Sequence, residues 1–258
     1  MQKKTIGIFG FGDFGKLAAS ILSKKFSIKV FDKKKNPKDL KIIKKIGVKF
    51  ESFNQVSQSD IVILAVPISQ TEQLIKKIAP KLKKDSLVLD VCSVKVYPCK
   101  WLKKYLPKKV QVIGTHPMFG PQSTNFDFKK QTWSLKNLQI ILCPIRIENK
   151  KLEKLKNYLK KLKLDIIQTT AQNHDRQAAR SLGFVHFLAK TLYLSGFKDQ
   201  KIKSKGYQDL LKTYYTIKDS PQLLFDMQNF NPYAKKIRQD FLKNFKKLEE
   251  KSNKAKQS

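Results

Sequence analysis

The chain has 258 residues, of which 54 are Lys or Arg and 20 are Asp or Glu, for a formal charge of +34. A hydrophobic share of 41%, with 17 Phe, suffices for a core and excludes wholesale disorder. No apolar run approaches the ~20 residues of a bilayer span, which excludes a transmembrane helix, and the basic start is followed by Gly10, Gly12 and Asp13, unlike a signal peptide.

In chain order, Thr5 to Phe9 reads as a strand and Lys16 to Lys24 as a helix with Leu17, Ala18, Ile21 and Leu22 on one face. A second strand, Ile28 to Phe31, ends at Asp32. Asn36 to Lys45 reads as a helix and Val48 to Phe50 as a short strand. Ile61 to Val66 is wholly apolar, as in a parallel sheet covered on both faces, and Pro67 stops it. A helix at Thr71 to Ile78 follows, then strands at Leu87 to Asp90, Val110 to Ile113 and Gln139 to Cys143. A helix from about Asn149 to Leu162 and a strand at Asp165 to Gln168 complete the alternation. The fold class expected is α/β: an N-terminal Rossmann-type, mostly parallel sheet with a smaller all-α C-terminal domain.

The boundaries expected are 1–170 for the sheet domain, 171–248 for the helical domain and 249–258 for a polar, lysine-rich, frayed tail. Helical periodicity runs through Gln172 to Leu194, Gln208 to Tyr215, Pro221 to Asn229 and Pro232 to Leu248. Leu210, Leu211, Tyr214, Leu223, Leu224 and Phe225 are candidates for a homodimer face in this domain.

Only four of the basic residues are Arg, the usual choice for bidentate phosphate and base contacts. Lysine spread over nearly every segment reads as a solvated surface that draws in anionic small molecules, with no specific nucleic-acid partner and no membrane partner. Three Cys (Cys92, Cys99, Cys143) stand at no metal-ligand spacing; they fit a reducing, cytoplasmic setting, and no metal is expected.

Gly10-Phe11-Gly12-Asp13-Phe14-Gly15 is a G-x-G-x-x-G that follows a strand and opens a helix. In that setting it reads as a dinucleotide turn, with pyrophosphate at the helix N-terminus. Asp32, seventeen residues after Gly15, is placed for a ribose diol. The expected cofactor contacts are Gly10, Phe11, Gly12, Asp13, Phe14, Gly15, Asp32, Val66 and Pro67. Asp32 favours NAD, because a carboxylate repels a 2′-phosphate; Lys33, Lys34 and Lys35 keep NADP as the second choice.

Two further motifs follow strands: Asp90-Val91-Cys92-Ser93-Val94-Lys95 and Gly114-Thr115-His116-Pro117-Met118-Phe119-Gly120-Pro121. His116, on a Pro/Gly-rich loop opposite Ser93, is the candidate catalytic residue. The other two His, His174 and His186, lie twelve residues apart on a helix and are read as sharing roughly one face. His174 reads as a helix-start cap or pair, or as a substrate contact; His186 reads as a core histidine or a substrate contact.

Together these segments resemble the prephenate and arogenate dehydrogenases of tyrosine biosynthesis, and the compact plant-type arogenate dehydrogenases most. The likeness extends through Lys205-Gly206-Tyr207 and Asp219-Ser220. It implies a compact chain without chorismate mutase or regulatory domains. It also implies hydride transfer from a cyclohexadiene to NAD(P) with loss of carbon dioxide. His116 would be the base, Ser93 its orienting partner or a hydroxyl contact, and His186 a substrate contact from the helical domain across an interdomain cleft. Asp219 would read the ammonium of arogenate, or cap the helix at Ser220-Pro221. Plant-type relatives carry Gln at Leu182 and Arg at Lys190; Lys190 keeps the charge of a substrate contact without the bidentate fork. The alternatives are another Rossmann dehydrogenase of hydroxyacid type, or a non-catalytic basic nucleotide- or nucleic-acid-binding protein.

Overall fold

Short apolar strands buried on both faces need helices above and below them, and the first of the chain's two units, Met1–His174, is built that way. The computed structural model describes residues 3–34, 44, 46–127, 132–217 and 221–254. Its strands are β1 (Thr5–Phe9), β2 (Ser27–Phe31), β3 (Lys49–Phe50), β4 (Ile61–Leu64), β5 (Leu87–Asp90), β6 (Gln111–Pro117), β7 (Asn125–Asp127), β8 (Thr132–Ser134), β9 (Gln139–Arg146) and β10 (Asp165–Gln168). Eight of them form one sheet in the order β10-β9-β6-β5-β4-β1-β2-β3, and β7 and β8 form a separate hairpin. Pairing is parallel throughout the large sheet except between β6 and β9.

From β1 the chain winds outward to β3, then returns to β4 on the other side of β1. The crevice at the carboxyl ends of β1 and β4 is therefore a topological switch point, where α/β sheets bind ligands. Ile6, Ile8, Val30, Val62, Val88 and Ile113, each nearly or fully buried, line the sheet's middle.

The first unit's helices are α1 (Asp13–Leu22), α2 (Phe53–Ser57), α3 (Ile68–Ile78), α4 (Val96–Tyr105), α5 (Asn149–Lys161) and the start of α6 (Ala171–Ala178). Helix α1 begins at Asp13, three residues before the expected Lys16, with Gly12 as its N-cap, and ends at Leu22 rather than Lys24. Helices α2 and α4 and the β7–β8 hairpin lie outside the sequence expectation. A capping box starts α2: the Gln55 amide N–H donates to Ser52 Oγ, and the Ser52 amide to Gln55 Oε1. Pro98 falls in the first turn of α4, where a missing N–H costs nothing. The helix expected over 36–45 lies almost wholly outside the described residues.

The second unit, Asp175–Ser258, is helical. It continues α6, passes through a π turn (Ala179–Phe184), and holds α7 (Val185–Leu194), α8 (Lys205–Ile217), α9 (Pro221–Phe230) and α10 (Ala234–Lys254). The units divide after residue 174 rather than 170, and α10 runs six residues beyond 248 into the segment expected to fray. The regular 3.6-residue period expected across 172–194 is broken by the π turn. Of the dimer-face candidates, Leu211, Tyr214 and Leu224 are buried within the chain itself, and Leu210 is half-buried; Leu223 and Phe225 are exposed. No helix among the described residues is long and apolar enough to cross a membrane.

Gly10 has φ +98°, and a Cβ there would sit 2.2 Å from the Ala65 carbonyl oxygen, against rigid backbone. Gly10→Ala should therefore lower stability by more than the ~1 kcal/mol of a simple backbone effect. An unchanged urea midpoint would show the turn to be more compliant than its geometry.

Candidate functional site

Charge buried in a sheet protein is costly unless it is paired and fully hydrogen-bonded. Asp90, the last residue of β5, and Lys95, the N-cap of α4, are both fully buried, and the Lys95 ammonium bonds the Asp90 carboxylate and the Thr115 carbonyl. Asp90 Oδ2 also accepts the Cys92 amide N–H at 3.0 Å, and Oδ1 that of Thr115 at 3.3 Å. The Thr115 hydroxyl closes the network on the Asp90 carbonyl. Burial is the largest influence and works against the Lys95 charge, but the Asp90 carboxylate, with Cys92 and Cys99 beside it, holds the lysine pKa above its usual value. The loop 91–95 is thus clamped between β5 and β6. Ser93 lies inside it, with its Oγ buried and without a hydrogen-bond partner among the described residues.

His116 is one position before the end of β6, not on the following loop as expected. The strand is prolonged by antiparallel pairing, which sets His116 opposite Ile141 of β9. Its Nδ1 lies 2.9 Å from His174 Nε2, and both residues are at most 5% exposed. The rings meet edge to face at 69°. Burial first, then the neighbouring His174 and Lys95, hold the His116 pKa well below its usual 6.5. The imidazole is therefore a neutral base near pH 7. His174, in the opening turn of α6, is brought onto the candidate base.

The glycine turn sits at the switch point. The Gly10 amide donates to the Phe31 carbonyl at 2.9 Å. A Cβ on Gly15 would strike the Gly10 carbonyl at 2.2 Å, whereas one on Gly12 would meet nothing within 4 Å. Gly12 therefore leaves open space over the N-terminus of α1, which has no side-chain cap on its amides. A pyrophosphate fits that cradle. Asp32 accepts the Phe11 amide at 2.6 Å and the Lys34 amide at 2.8 Å, which fixes its carboxylate beside the turn. The residues present thus fit a dinucleotide. Asp13 is exposed in the first turn of α1. The Phe11 and Phe14 side chains turn away into the core, against Phe50 and Phe119. Val66 Cγ1 lies 3.2 Å from where a Gly10 Cβ would be, and Pro67 is the N-cap of α3.

In the second unit, His186 is half-buried, and burial lowers its pKa. Lys190 Nζ lies over the Tyr193 ring, 4.5 Å from its centre. Asp219 lies outside the described residues. Sequence reasoning singled out Ser93 from its motif but gave no role to Asp90, Lys95 or Thr115. The D-x-x-S-x-K spacing was visible; the contact with Thr115 on the next strand was not. Among the described residues no cluster of His, Cys, Asp or Glu is arranged to hold a metal ion.

Comparison with known proteins adds to this geometry. A family model described as "Prephenate dehydrogenase, nucleotide-binding domain" matches residues 17–168, and one described as "TYRAAT1-like, C-terminal domain" matches residues 191–257. A probable arogenate/prephenate dehydrogenase of Methanocaldococcus jannaschii is 32% identical over 95% of this chain and 56% of its own length. Arogenate dehydrogenase 2, chloroplastic, of Arabidopsis thaliana is 28% identical over 89% of this chain and 64% of its own length. The chain thus spans less than two thirds of either relative. Among solved structures, prephenate dehydrogenase from A. aeolicus, in complex with hydroxyphenyl propionate and NAD+, superposes with TM-score 0.75 at 21% identity, over 97% of this chain and 91% of that one. Synechocystis arogenate dehydrogenase superposes with TM-score 0.69 at 21% identity, over 95% and 90%. At that identity the two structures establish the fold.

Lys95→Met should destabilise the protein by ~3–5 kcal/mol, because it strands a buried carboxylate, and pairing it with Asp90→Leu should cost less than the two single changes summed. Additive losses in urea unfolding would show that the two residues do not act as a pair. Below pH 6.5 the unfolded chain takes up a proton at residue 116 that the folded chain resists, so stability falls with pH there and is flat above. Relative to His116→Gln, the wild type should lose stability between pH 6.5 and 5. Parallel curves would contradict the depressed pKa.

Proposed function

Because the chain belongs to the prephenate dehydrogenase nucleotide-binding family, we propose that it oxidatively decarboxylates arogenate or prephenate. The products are tyrosine or 4-hydroxyphenylpyruvate respectively. The observation that carries this reading is the buried His116–His174 contact at the carboxyl end of β6, with the unpartnered Ser93 Oγ on the loop after β5, its neighbour strand. Bound over Gly12 and Asp32, a nicotinamide dinucleotide supplies the hydride acceptor.

The chain's own residues orient the ring and handle one proton. For Nε2 of His116 to accept the proton of the ring hydroxyl, the neutral imidazole must carry its hydrogen on Nδ1. His174 Nε2, 2.9 Å from that Nδ1, accepts the hydrogen when its own proton sits on Nδ1. Ser93 Oγ holds the same hydroxyl. As hydride leaves the hydroxyl-bearing carbon, carbon dioxide departs from the opposite ring position, and aromatisation supplies much of the driving force. The base therefore needs only to be placed and neutral, as the depressed His116 pKa makes it.

His186 and Lys190 are assigned to substrate contacts, and Asp219 to the ammonium of arogenate. Asp32 supports NAD as the preferred cofactor: its carboxylate, fixed by the Phe11 and Lys34 amides, suits a diol better than a phosphate. Exposed apolar side chains of the helical unit, among them Phe225, Phe241 and Phe245, support a homodimer through that unit. Cys92, Cys99 and Cys143, buried and outside any disulfide, support a cytoplasmic, reducing location.

Initial rates with prephenate or arogenate, each with NAD+ or NADP+, test the reading directly. Turnover with at least one pair is expected, together with a loss of ~10²–10⁴-fold in kcat for His116→Asn. No turnover with any pair, or wild-type kcat in the variant, would overturn the reaction or the base respectively.

A further inference from the structure

The helical unit carries one irregularity in a region where the sequence pattern is regular. In the π turn Ala179–Phe184, hydrogen bonds close one residue later than in an α-helix. Side chains beyond it are therefore set back by about 100° relative to a regular continuation of Asp175–Ala178. His186 is the second residue after that turn. Its direction depends on the turn staying where it is.

We propose that Gln228 and Arg238 are positioning residues that lock the π turn and so fix the direction of the His186 ring. The Gln228 side-chain amide donates to the Gly183 carbonyl, inside the turn, at 2.8 Å. The other end of the same amide accepts from the Arg238 guanidinium. A guanidinium only donates and a carbonyl only accepts, so the amide has one orientation that satisfies both neighbours. Arg238 is anchored in turn over the ring of Phe187, 5.5 Å from its centre, and Phe187 is the residue after His186. Packing of Phe184 against Phe241, with ring centres 4.9 Å apart, holds the far end of the turn to α10. A carbonyl in α6–α7, an amide on α9 and a guanidinium on α10 therefore form one relay, and it grips the helix three residues before His186. Without the relay, the extra residue of the turn is free to relax along the helix.

The functional part of this proposal rests on His186 touching substrate, as assigned above. The chain has three His, so the imidazole resonances of the full-length protein are few enough to assign by single replacement. Gln228→Glu is the sharpest probe: it keeps the shape and the Arg238 contact, but turns an oxygen toward the Gly183 carbonyl. Its expected effect is a shifted His186 imidazole resonance with those of His116 and His174 unmoved. Substrate KM should rise about five- to ten-fold, with the smaller change in kcat. Arg238→Met, which keeps an apolar stem over Phe187, should act the same way more weakly, and serves if the first variant fails to fold. A folded variant of either kind with the wild-type His186 resonance overturns the lock. A shifted resonance with wild-type KM upholds the lock and overturns the assignment of His186 to substrate. Because the resonance is read without turnover, it decides the lock even if no substrate pair is active.

Discussion

The buried Asp90–Lys95 pair is the constraint on which the candidate site depends. Two opposite charges without water are tolerable only if every remaining lone pair and proton is satisfied. Asp90 and Lys95 meet that demand by drawing in the Cys92 amide and the amide and carbonyl of Thr115. The same bonds dictate the path of loop 91–95 and its distance from β6. Ser93 is carried by that loop, and His116 follows Thr115 on the strand. Stability and chemistry are thus coupled: the pair that holds the loop also places a cation near His116 and helps to keep it neutral.

The surface lysines play a different part. Pairs such as Lys205–Asp209 and Lys236–Asp240 span one helical turn at exposed positions. Such pairs contribute little to stability and are screened by salt. The net charge of +34 therefore acts on what approaches the protein more than on its fold. A dinucleotide and a dicarboxylate substrate are both anionic, so the field favours the ligands that the site is proposed to take. Among the described residues, Lys95 alone of the lysines is buried, and it holds the loop after β5.

The helical unit shows how regular periodicity can conceal a local change. Ala178, Leu182, Val185 and Ala189 satisfy a helical pattern, and the chain is indeed helical throughout that stretch. The π turn inserts one residue of phase without altering composition. Its partners lie in α9 and α10: Gln228 bonds the Gly183 carbonyl, and Arg238 bonds Gln228.

Local physics made much of this protein legible in its sequence. The apolar runs marked the strands of the large sheet, though not the β7–β8 hairpin, and the glycine turn before a helix, with Asp32 downstream, marked the candidate nucleotide cradle; both are short-range patterns of sterics and burial. Helices α2 and α4 escaped because a five-residue capped turn and a proline-bearing first turn carry little periodicity. The placement of His116 within a strand required its antiparallel partner β9, more than twenty residues away. The His116–His174 contact, across 58 residues, required the sheet and α6 to be assembled. Residue types and their order thus determined which groups are present and what each can do. Which group faces which was decided by tertiary structure, because hydrogen-bond partners, burial and charge neighbours are properties of the packed chain and not of any segment.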